Sequence, residues 1–398
     1  MSGPGARTRR GMVVAGIVVS SAIAFVASAC SGSSEQGSRV EVSEAAVYLS
    51  PTGSDEGACR REAPCLSLAR GYEVAGPGEV IELAGGAYPA QEVLADPAKA
   101  SGEDVVVRPA PGARVSLEGV EIHASHLELR DLETTWYVHP GADRVTLRRL
   151  VAPGGNFITS ASNVRVIGGE IGPGDSVDGL QVKTTGEGDP DPSDILLDGV
   201  EIHDFTRVDD PGDHTDCVQV GAAVRLTIRN SRIHGCATQG VFFSSFAGGR
   251  IADLVVENNW FGSVTEGYYS LILKDVRGAL IRNNSASTTM IFRTEDGGGA
   301  TGLSDVRVVG NIGPNQVAHC VVGGAVRYEH NVWSEAACGP TDRVAPPGFV
   351  DAEGFDLRLA AGSAAIDAGD PDDAPTTDIL GRPRHLGDAP DAGAHEAG

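Results

Sequence analysis

The sequence is short of positive charge. Its 398 residues include 31 lysines and arginines against 54 aspartates and glutamates, a formal net charge of −23 at pH 7. Nucleic acids attract basic surfaces, so this balance argues against a nucleic-acid partner. The seven cysteines lack the paired short spacings of structural zinc sites, which argues against a zinc-stabilised fold. Glycine is abundant, with 53 residues, as a chain with many sharp turns requires.

A repeated phrase between Val164 and Asn331 organises the chain. Each copy has a short strand pattern of alternating apolar and polar residues, then Asn or Gly, then a second short strand pattern. The clearest copies start at Leu226, Leu254, Leu280, Val306 and Val326, in steps of 28, 26, 26 and 20 residues. A period this short, carrying only strands, predicts a β-solenoid. Its coils must stack, because one coil alone cannot bury its apolar row.

Asparagine recurs at one phase of this repeat. Asn tolerates the left-handed backbone conformation that a sharp turn after each strand requires. The alignment predicts one column of Asn230, Asn258 and Asn284, and a second column of Ser231, Asn259, Ser285, Asn311 and Asn331. Stacked asparagines are expected to hydrogen-bond to one another along the column.

These repeats resemble the right-handed parallel β-helix of the pectate-lyase-like superfamily. The stretch from Val47 to Pro89 resembles its N-terminal segment, and FDLRLAAGSAAIDAG with LGRPRHLGDAPDAGAHE resembles its C-terminal closing segment. The resemblance implies an all-β, single-domain right-handed parallel β-helix over residues 46–398. Its coils are expected at about 103–335 and its closing segment at about 341–398. The same scaffold hosts lyases, hydrolases, epimerases and non-catalytic surface proteins, so the fold leaves the activity open.

Residues 1–29 have the pattern of an export signal. Three arginines precede the apolar run GMVVAGIVVSSAIAFVASA, which ends at Cys30. The phrase ASAC resembles a bacterial lipoprotein processing site. This implies lipidation of Cys30 and a membrane anchor facing outside, with residues 30–45 as lipidated cysteine and polar tether. Cleavage after Ala29 with secretion, or an uncleaved anchor, are the alternatives.

Export makes disulfides the natural interpretation of the other six cysteines. They form pairs that are close in sequence: Cys59 with Cys65, Cys217 with Cys236, and Cys320 with Cys338. Separations of 19 and 18 residues in the last two pairs are near one coil, so these pairs are expected to link adjacent coils. Sequence alone leaves the connectivity open.

A second strand per coil starts at Asp178, Asp216, Gln239, Tyr269 and Thr289. Period two sends two neighbouring columns of side chains outward. The columns are Gln181, Gln219, Phe242 and Ile272, and Lys183, Gly221, Ser244 and Lys274, which Arg293 joins after a one-residue shift. We call this surface the strip. The insertions Thr184–Asp194 and Asp204–Asp216 flank it, as loops that build binding walls do.

The phrase DHTDCVQV contains the candidate catalytic residues nearest the strip. His214 is a candidate general acid or base. Asp178 and Asp216 are candidate paired carboxylates for glycosidic cleavage, and Asp178 with Gln181 repeats the D-x-x-Q spacing of Asp216 with Gln219. The alternative is that the two aspartates cap turns.

Two mechanisms remain open for an acidic polysaccharide. In the lyase hypothesis Lys183, Lys274 or Arg293 neutralises a uronic carboxylate, and one of them or His214 takes the proton beside it. Asp209, Asp210, Asp213 and Asp216 would then form a calcium site. In the hydrolase hypothesis Asp178, Asp213 or Asp216 supplies acid and base.

The phrase DCVQV resembles the D-D-C-V of polygalacturonase-type hydrolases, but Gln239 stands where their histidine would be. Gln181, Gln219, Gln239, Phe242, Tyr268 and Tyr269 are the predicted substrate-binding residues. The rival from another class is a non-catalytic surface lipoprotein that binds glycan or a cell-wall partner.

Overall fold

The computed structural model describes residues 44–99, 102–186, 188–208, 215–262, 269–292, 302–315, 320–321 and 323–398. A short α-helix, α1 (Leu68–Val74), and a 3-10 turn at Pro97–Lys99 accompany the strands. The first strands are β1 (Val47–Leu49), β2 (Val80–Leu83), β3 (Gly86–Tyr88), β4 (Gln91–Val93), β5 (Val105–Pro109), β6 (Val115–Leu117), β7 (Val120–Ile122), β8 (Leu127–Arg130), β9 (Trp136–Val138), β10 (Asp143–Ala152) and β11 (Asn156–Thr159). The next are β12 (Ser162–Ile171), β13 (Gly174–Asp175), β14 (Leu180–Lys183), β15 (Ser193–Asp198), β16 (Glu201–Thr206), β17 (Val218–Val220), β18 (Ala223–Arg229), β19 (Arg232–Cys236), β20 (Gln239–Phe243), β21 (Ile251–Glu257) and β22 (Trp260–Phe261). The last are β23 (Tyr269–Leu273), β24 (Val276–Arg282), β25 (Ser285–Ala286), β26 (Thr289–Phe292), β27 (Ser304–Val309), β28 (Ile312–Gly313), β29 (Val326–Glu329), β30 (Val332–Trp333), β31 (Arg343–Val344), β32 (Phe349–Asp351) and β33 (Asp356–Leu359).

Three parallel runs of strands wind along the chain. Sheet 1 runs β1, β2, β5, β8, β10, β12, β15, β18, β21, β24, β27 and β29. Sheet 2 runs from the end of β12 and β13 through β16, β19, β22, β25, β28, β30 and β31. Sheet 3 runs β4, β7, β9, β11, β14, β17, β20, β23 and β26. Successive strands of the chain visit the three sheets in turn, so the predicted all-β parallel solenoid is confirmed. The stack already includes β2, earlier than the predicted start near residue 103.

The core is the column of inward side chains that strand alternation creates. In sheet 3, Leu180 lies opposite Val218, and Val218 lies opposite Val241; all three are fully buried. Branched aliphatic side chains suit this position, because each pleat presses its side chains against the coils above and below.

Asparagines form a buried hydrogen-bonded ladder between sheets 1 and 2. The Nδ2 of Asn259 donates to Asn284 Oδ1 at 3.0 Å, that of Asn284 to Asn311 Oδ1 at 2.9 Å, and that of Asn311 to Asn331 Oδ1 at 3.0 Å. Asn331 in turn donates to Asp342 Oδ1 at 2.9 Å. The ladder that the repeat predicted is therefore present.

The predicted register was wrong by one residue at one coil. Leu254 pairs with Ala279, not Leu280, so Asn284, not Ser285, belongs to the ladder with Asn259. The column with positive φ is Asn230, Asn258, Asn283, Gly310 and His330. The alignment failed there because Ala279 presents only a methyl group, and Leu280 looked like the apolar start of the phrase.

The C-terminal segment packs along the flank of the coils. The guanidinium of Arg384 donates to Asn258 Oδ1 at 2.7 Å, and the amide N–H of Ala394 donates to Ser285 Oγ at 2.9 Å. Leu357 and Ala394 pack against Trp260 of β22. The predicted closing segment thus covers sheet 2 from the side, whereas the strip lies on sheet 3.

Disulfides join the three predicted cysteine pairs, Cys59–Cys65, Cys217–Cys236 and Cys320–Cys338. Cys217 precedes β17 and Cys236 ends β19, the first and third strands of one coil. This bond therefore closes a single coil and does not link adjacent coils as expected. No helix in the described part of the chain has the length and apolar character to cross a bilayer.

Candidate functional site

The strip on sheet 3 extends beyond the predicted coils. Parallel pairing aligns its first outward column as Glu92, Glu121, Tyr137, Phe157, Gln181, Gln219, Phe242, Ile272 and Ile291. The second column, two residues further along each strand or just past its end, is Leu94, His123, His139, Thr159, Lys183, Gly221, Ser244 and Lys274. Nine strands about 4.8 Å apart give a surface roughly 38 Å long.

Lys183 is the better positioned of the two lysines that the structure describes on the strip. Its Nζ donates to Gln181 Oε1 at 2.7 Å and lies 4.7 Å from the centroid of the Phe157 ring. Burial lowers the pKa of Lys183, and the charge of Asp178 opposes that shift without cancelling it. A half-buried lysine against an aromatic face is a candidate proton acceptor.

Asp178 acts on Lys183 through Gln181. Its Oδ2 accepts from Gln181 Nε2 at 2.6 Å, and its Oδ1 accepts from the backbone N–H of Asp216 at 2.7 Å. The carboxylate is 7% exposed. Asp178 therefore holds Gln181 in place and ties its own coil to the next one through the N–H of Asp216, instead of capping a turn of its own backbone. Asp216 is fully buried, and Gln219 Nε2 approaches its Oδ2 at 3.5 Å, so the D-x-x-Q pattern repeats in space. Because both carboxylates are buried, neither is well placed to meet a glycosidic oxygen.

Lys274 lies on the strip but far from Lys183. Its Nζ is 5.1 Å from the centroid of the Phe242 ring. Three strand steps separate the two lysines, about 14 Å, so they cannot act on the same sugar residue. Ile272 and Ile291 are 5% and 1% exposed, so the accessible part of the first column ends at Phe242.

Gly221 makes room for an unpredicted aromatic ring. A Cβ at this position would collide with Phe246, whose side chain is 37% exposed. Phe246 therefore lies over the strip one strand beyond Lys183, where only glycine permits so close an approach.

The sequence analysis did not predict a cluster of aromatic and acidic side chains on the N-terminal coils. The rings of His123 and His139 stack at 3.9 Å between centroids, His139 stacks on Tyr137 at 3.8 Å, and Tyr137 contacts Phe157 at 5.3 Å. Glu121 hydrogen-bonds His139. Aligning VEIHA and WYVHP with the later phrase LQVKT would have shown that these residues share its phase.

Two predicted residues fall off the strip. Gln239 and Tyr269 pair with each other across β20 and β23, on the strand side that carries Val241 and Leu271. Period two thus separates them from Phe242 and Ile272.

Seven predicted residues lie outside the described part of the chain: Cys30, Asp209, Asp210, Asp213, His214, Tyr268 and Arg293. Their predicted roles stay predictions. Within the described ranges, no group of three or more His, Cys, Asp or Glu side chains is arranged to hold a metal ion.

No protein-family model matches the chain, and no curated protein matches it in sequence. Solved structures with a similar backbone include the pectate lyase Pel9A, with 13% identity, TM-score 0.48, and coverage of 88% of this chain and 96% of that one. A rhamnogalacturonan lyase matches with 14% identity, TM-score 0.48, and coverage of 77% and 90%. PfbA, a surface adhesin of Streptococcus pneumoniae, matches with 10% identity, TM-score 0.40, and coverage of 66% and 78%. At these identities and TM-scores none carries an argument about chemistry in this chain.

Proposed function

We propose that this protein is a carbohydrate-active β-helix protein that binds an acidic polysaccharide along the strip and cleaves it by β-elimination, with Lys183 as the proton acceptor. The observation that carries the proposal is the setting of Lys183. Its amine is half-buried against Phe157, is oriented by Gln181, and has a lowered pKa. A general base works best when its pKa approaches the working pH.

In this proposal the side chains around Lys183 bind the sugar and orient the amine, and Lys183 itself takes the proton. Phe157 and Tyr137 are half-buried and contact each other, and the exposed parts of their rings offer apolar contact to a bound sugar. Gln181, held by Asp178, keeps the amine over the strip. The neutral amine takes the proton beside the uronic carboxylate. The electron pair of that C–H bond forms the new double bond, and the glycosidic oxygen leaves with its own bonding pair and takes a proton from water.

We also propose roles for residues outside the described part of the chain. Arg293 and His214 would approach the strip from the segments that follow β26 and precede β17. Asp209, Asp210 and Asp213 would supply the hard oxygen ligands that calcium prefers, and a bound calcium would withdraw charge from the uronic carboxylate. Export, with lipidation at Cys30 as the anchor, would place this chemistry at the cell surface.

A polysaccharide screen tests the proposal. The chain from Ser31 onward is incubated with acidic polymers, with calcium or with a chelator. Absorbance of unsaturated sugar ends and release of reducing ends are followed in parallel. We expect both signals to rise together in the wild type and to disappear in Lys183→Ala. The matched control is Lys274→Ala, about 14 Å away, which should weaken binding and leave elimination in place.

Other results would redirect the assignment. Release of reducing ends without absorbance of unsaturated ends would identify a hydrolase. Asp178, Asp213 and Asp216 would then be the candidates for its acid and base. If Lys183→Ala catalyses β-elimination as fast as the wild type, Lys183 is not the base. Silence in both signals, with retention of the protein on the polymer, would identify a non-catalytic glycan-binding protein.

A further inference from the structure

The N-terminal end of the strip has an electrostatic character opposite to that of the Lys183 end. Glu92 and Glu121 are direct partners in neighbouring strands β4 and β7, and their side chains are 59% and 53% exposed. Like charges directly opposite in a sheet are destabilising. The fold nevertheless keeps them adjacent on an exposed surface.

Two histidines lie beside the two carboxylates. His123 Nε2 lies 3.5 Å from Glu92 Oε1, and His139 Nε2 contacts Glu121. The two imidazole rings stack on each other, and His139 stacks on Tyr137. The result is a continuous row of rings, from His123 through His139 and Tyr137 to Phe157, with Lys183 above its last ring. Carboxylates flank the beginning of the row.

One strand step is about the length of one extended pyranose residue. A polymer lying along the strip with one sugar at Lys183 therefore places the next sugars over Phe157, then Tyr137 and His139, then Glu121 and Glu92. Because the first three rings of the row stack on one another, a polymer on the strip meets their edges, which give the sugars apolar contact. The two glutamates accept hydrogen bonds from hydroxyl or amino groups. They also repel a carboxylate that lies next to them.

We infer that the substrate is a heteropolysaccharide, in which the uronic acid at Lys183 is joined, toward the N-terminal coils, to sugars that carry no carboxylate. This inference rests on the proposed binding of an acidic polysaccharide along the strip. It excludes a homopolymer of uronic acid as the preferred ligand, because such a chain would place a carboxylate beside Glu121 and another beside Glu92.

The test compares binding of two polymers to the full chain purified in detergent. One is a homopolymer of uronic acid, and in the other, runs of at least four neutral or N-acetylated sugars separate the uronic acids. Affinity electrophoresis measures retention at low and at high salt. We expect wild type to bind the mixed polymer about tenfold more tightly at low salt, with the difference shrinking at high salt because the repulsion is screened.

Glutamine variants assign the preference to the two carboxylates. The double variant Glu92→Gln with Glu121→Gln keeps the shape and removes the charge, so it should bind the homopolymer nearly as tightly as the mixed polymer. Glu118→Gln removes an exposed acid from the turn before β7 and serves as the matched control, with the wild-type ratio expected. Equal wild-type affinity for both polymers, or an unchanged ratio in the double variant, would overturn the inference.

Lys183→Ala separates this inference from the proposed function. If that variant loses cleavage and keeps the preference for the mixed polymer, both stand. If wild type cleaves nothing but shows the preference, the lyase proposal fails and the inference about the ligand stands. If cleavage depends on Lys183 while both polymers bind alike, the inference alone fails.

Discussion

Replacing Asn284 with alanine should destabilise the coils by severing the asparagine ladder. Asn284 is fully buried, and its amide makes four hydrogen bonds. Its Nδ2 donates to Val256 O at 2.9 Å and to Asn311 Oδ1 at 2.9 Å. Its Oδ1 accepts from the backbone N–H of Asn259 at 3.1 Å and from its Nδ2 at 3.0 Å.

The expected loss of stability follows from the buried polar groups that the substitution leaves without a hydrogen-bond partner. The backbone N–H of Asn259 and the carbonyl of Val256 lose a buried partner that water cannot replace. An unsatisfied buried group costs about 1–3 kcal/mol, so we expect Asn284→Ala to lower the free energy of unfolding by about 3–4 kcal/mol. The left-handed turn residue is Asn283, with φ 48°. Alanine at 284 therefore adds no backbone strain.

The assay combines urea unfolding with native-state hydrogen exchange. Each coil contacts mainly its neighbours, so faster exchange should be concentrated in β21, β24 and β27 and should be small in β5 and β8. The control is Asn230→Gly. Asn230 is half-buried with φ 53°, a conformation that glycine adopts freely. That variant should lose about 1 kcal/mol. Equal losses in the two variants, or faster exchange spread evenly over all coils, would refute the account.

Three further predictions follow from individual residues. Because burial lowers the pKa of Lys183, elimination should rise with pH as the amine deprotonates. Lys183→Arg should be inactive at every pH, since a guanidinium stays protonated, and a flat wild-type profile would contradict this. Gly221→Ala should displace Phe246 and weaken polymer retention several-fold, while the free energy of unfolding from urea titration falls by no more than about 1 kcal/mol. Unchanged retention would show that Phe246 is not part of the binding surface.

Burial is the largest cause that lowers the pKa of His395 to about 4 from 6.5, and its Nδ1 accepts from the N–H of Leu359 at 3.2 Å. Above pH 6.5 the imidazole is neutral in both the folded and the unfolded chain. As the pH falls from 6.5 toward 4, only the unfolded chain takes up the proton, so the free energy of unfolding decreases by about 3 kcal/mol in all. His395→Asn should flatten that dependence, and an equal slope in both proteins would contradict it.

Local features of the sequence were sufficient for the coils and much of the strip. Alternation of apolar and polar residues in LQVK and VQVG gave the correct inward and outward sides, because the side-chain period of a strand is set by its own backbone. It also brought Lys183, Gln181 and Gln219 to one surface. The cysteine spacing gave the correct pairs, since the two ends of one coil lie close in space.

Stacking between coils was decided only by the tertiary structure. The register of Ala279 under Leu254 and the stack of His123 on His139 both depend on how one coil rests on the next. The C-terminal segment likewise reaches Asn258 from Arg384, across a sequence distance that no local pattern spans. Coil lengths vary along the chain, so the period fixes which residues face outward, and packing between coils selects which outward residues become neighbours.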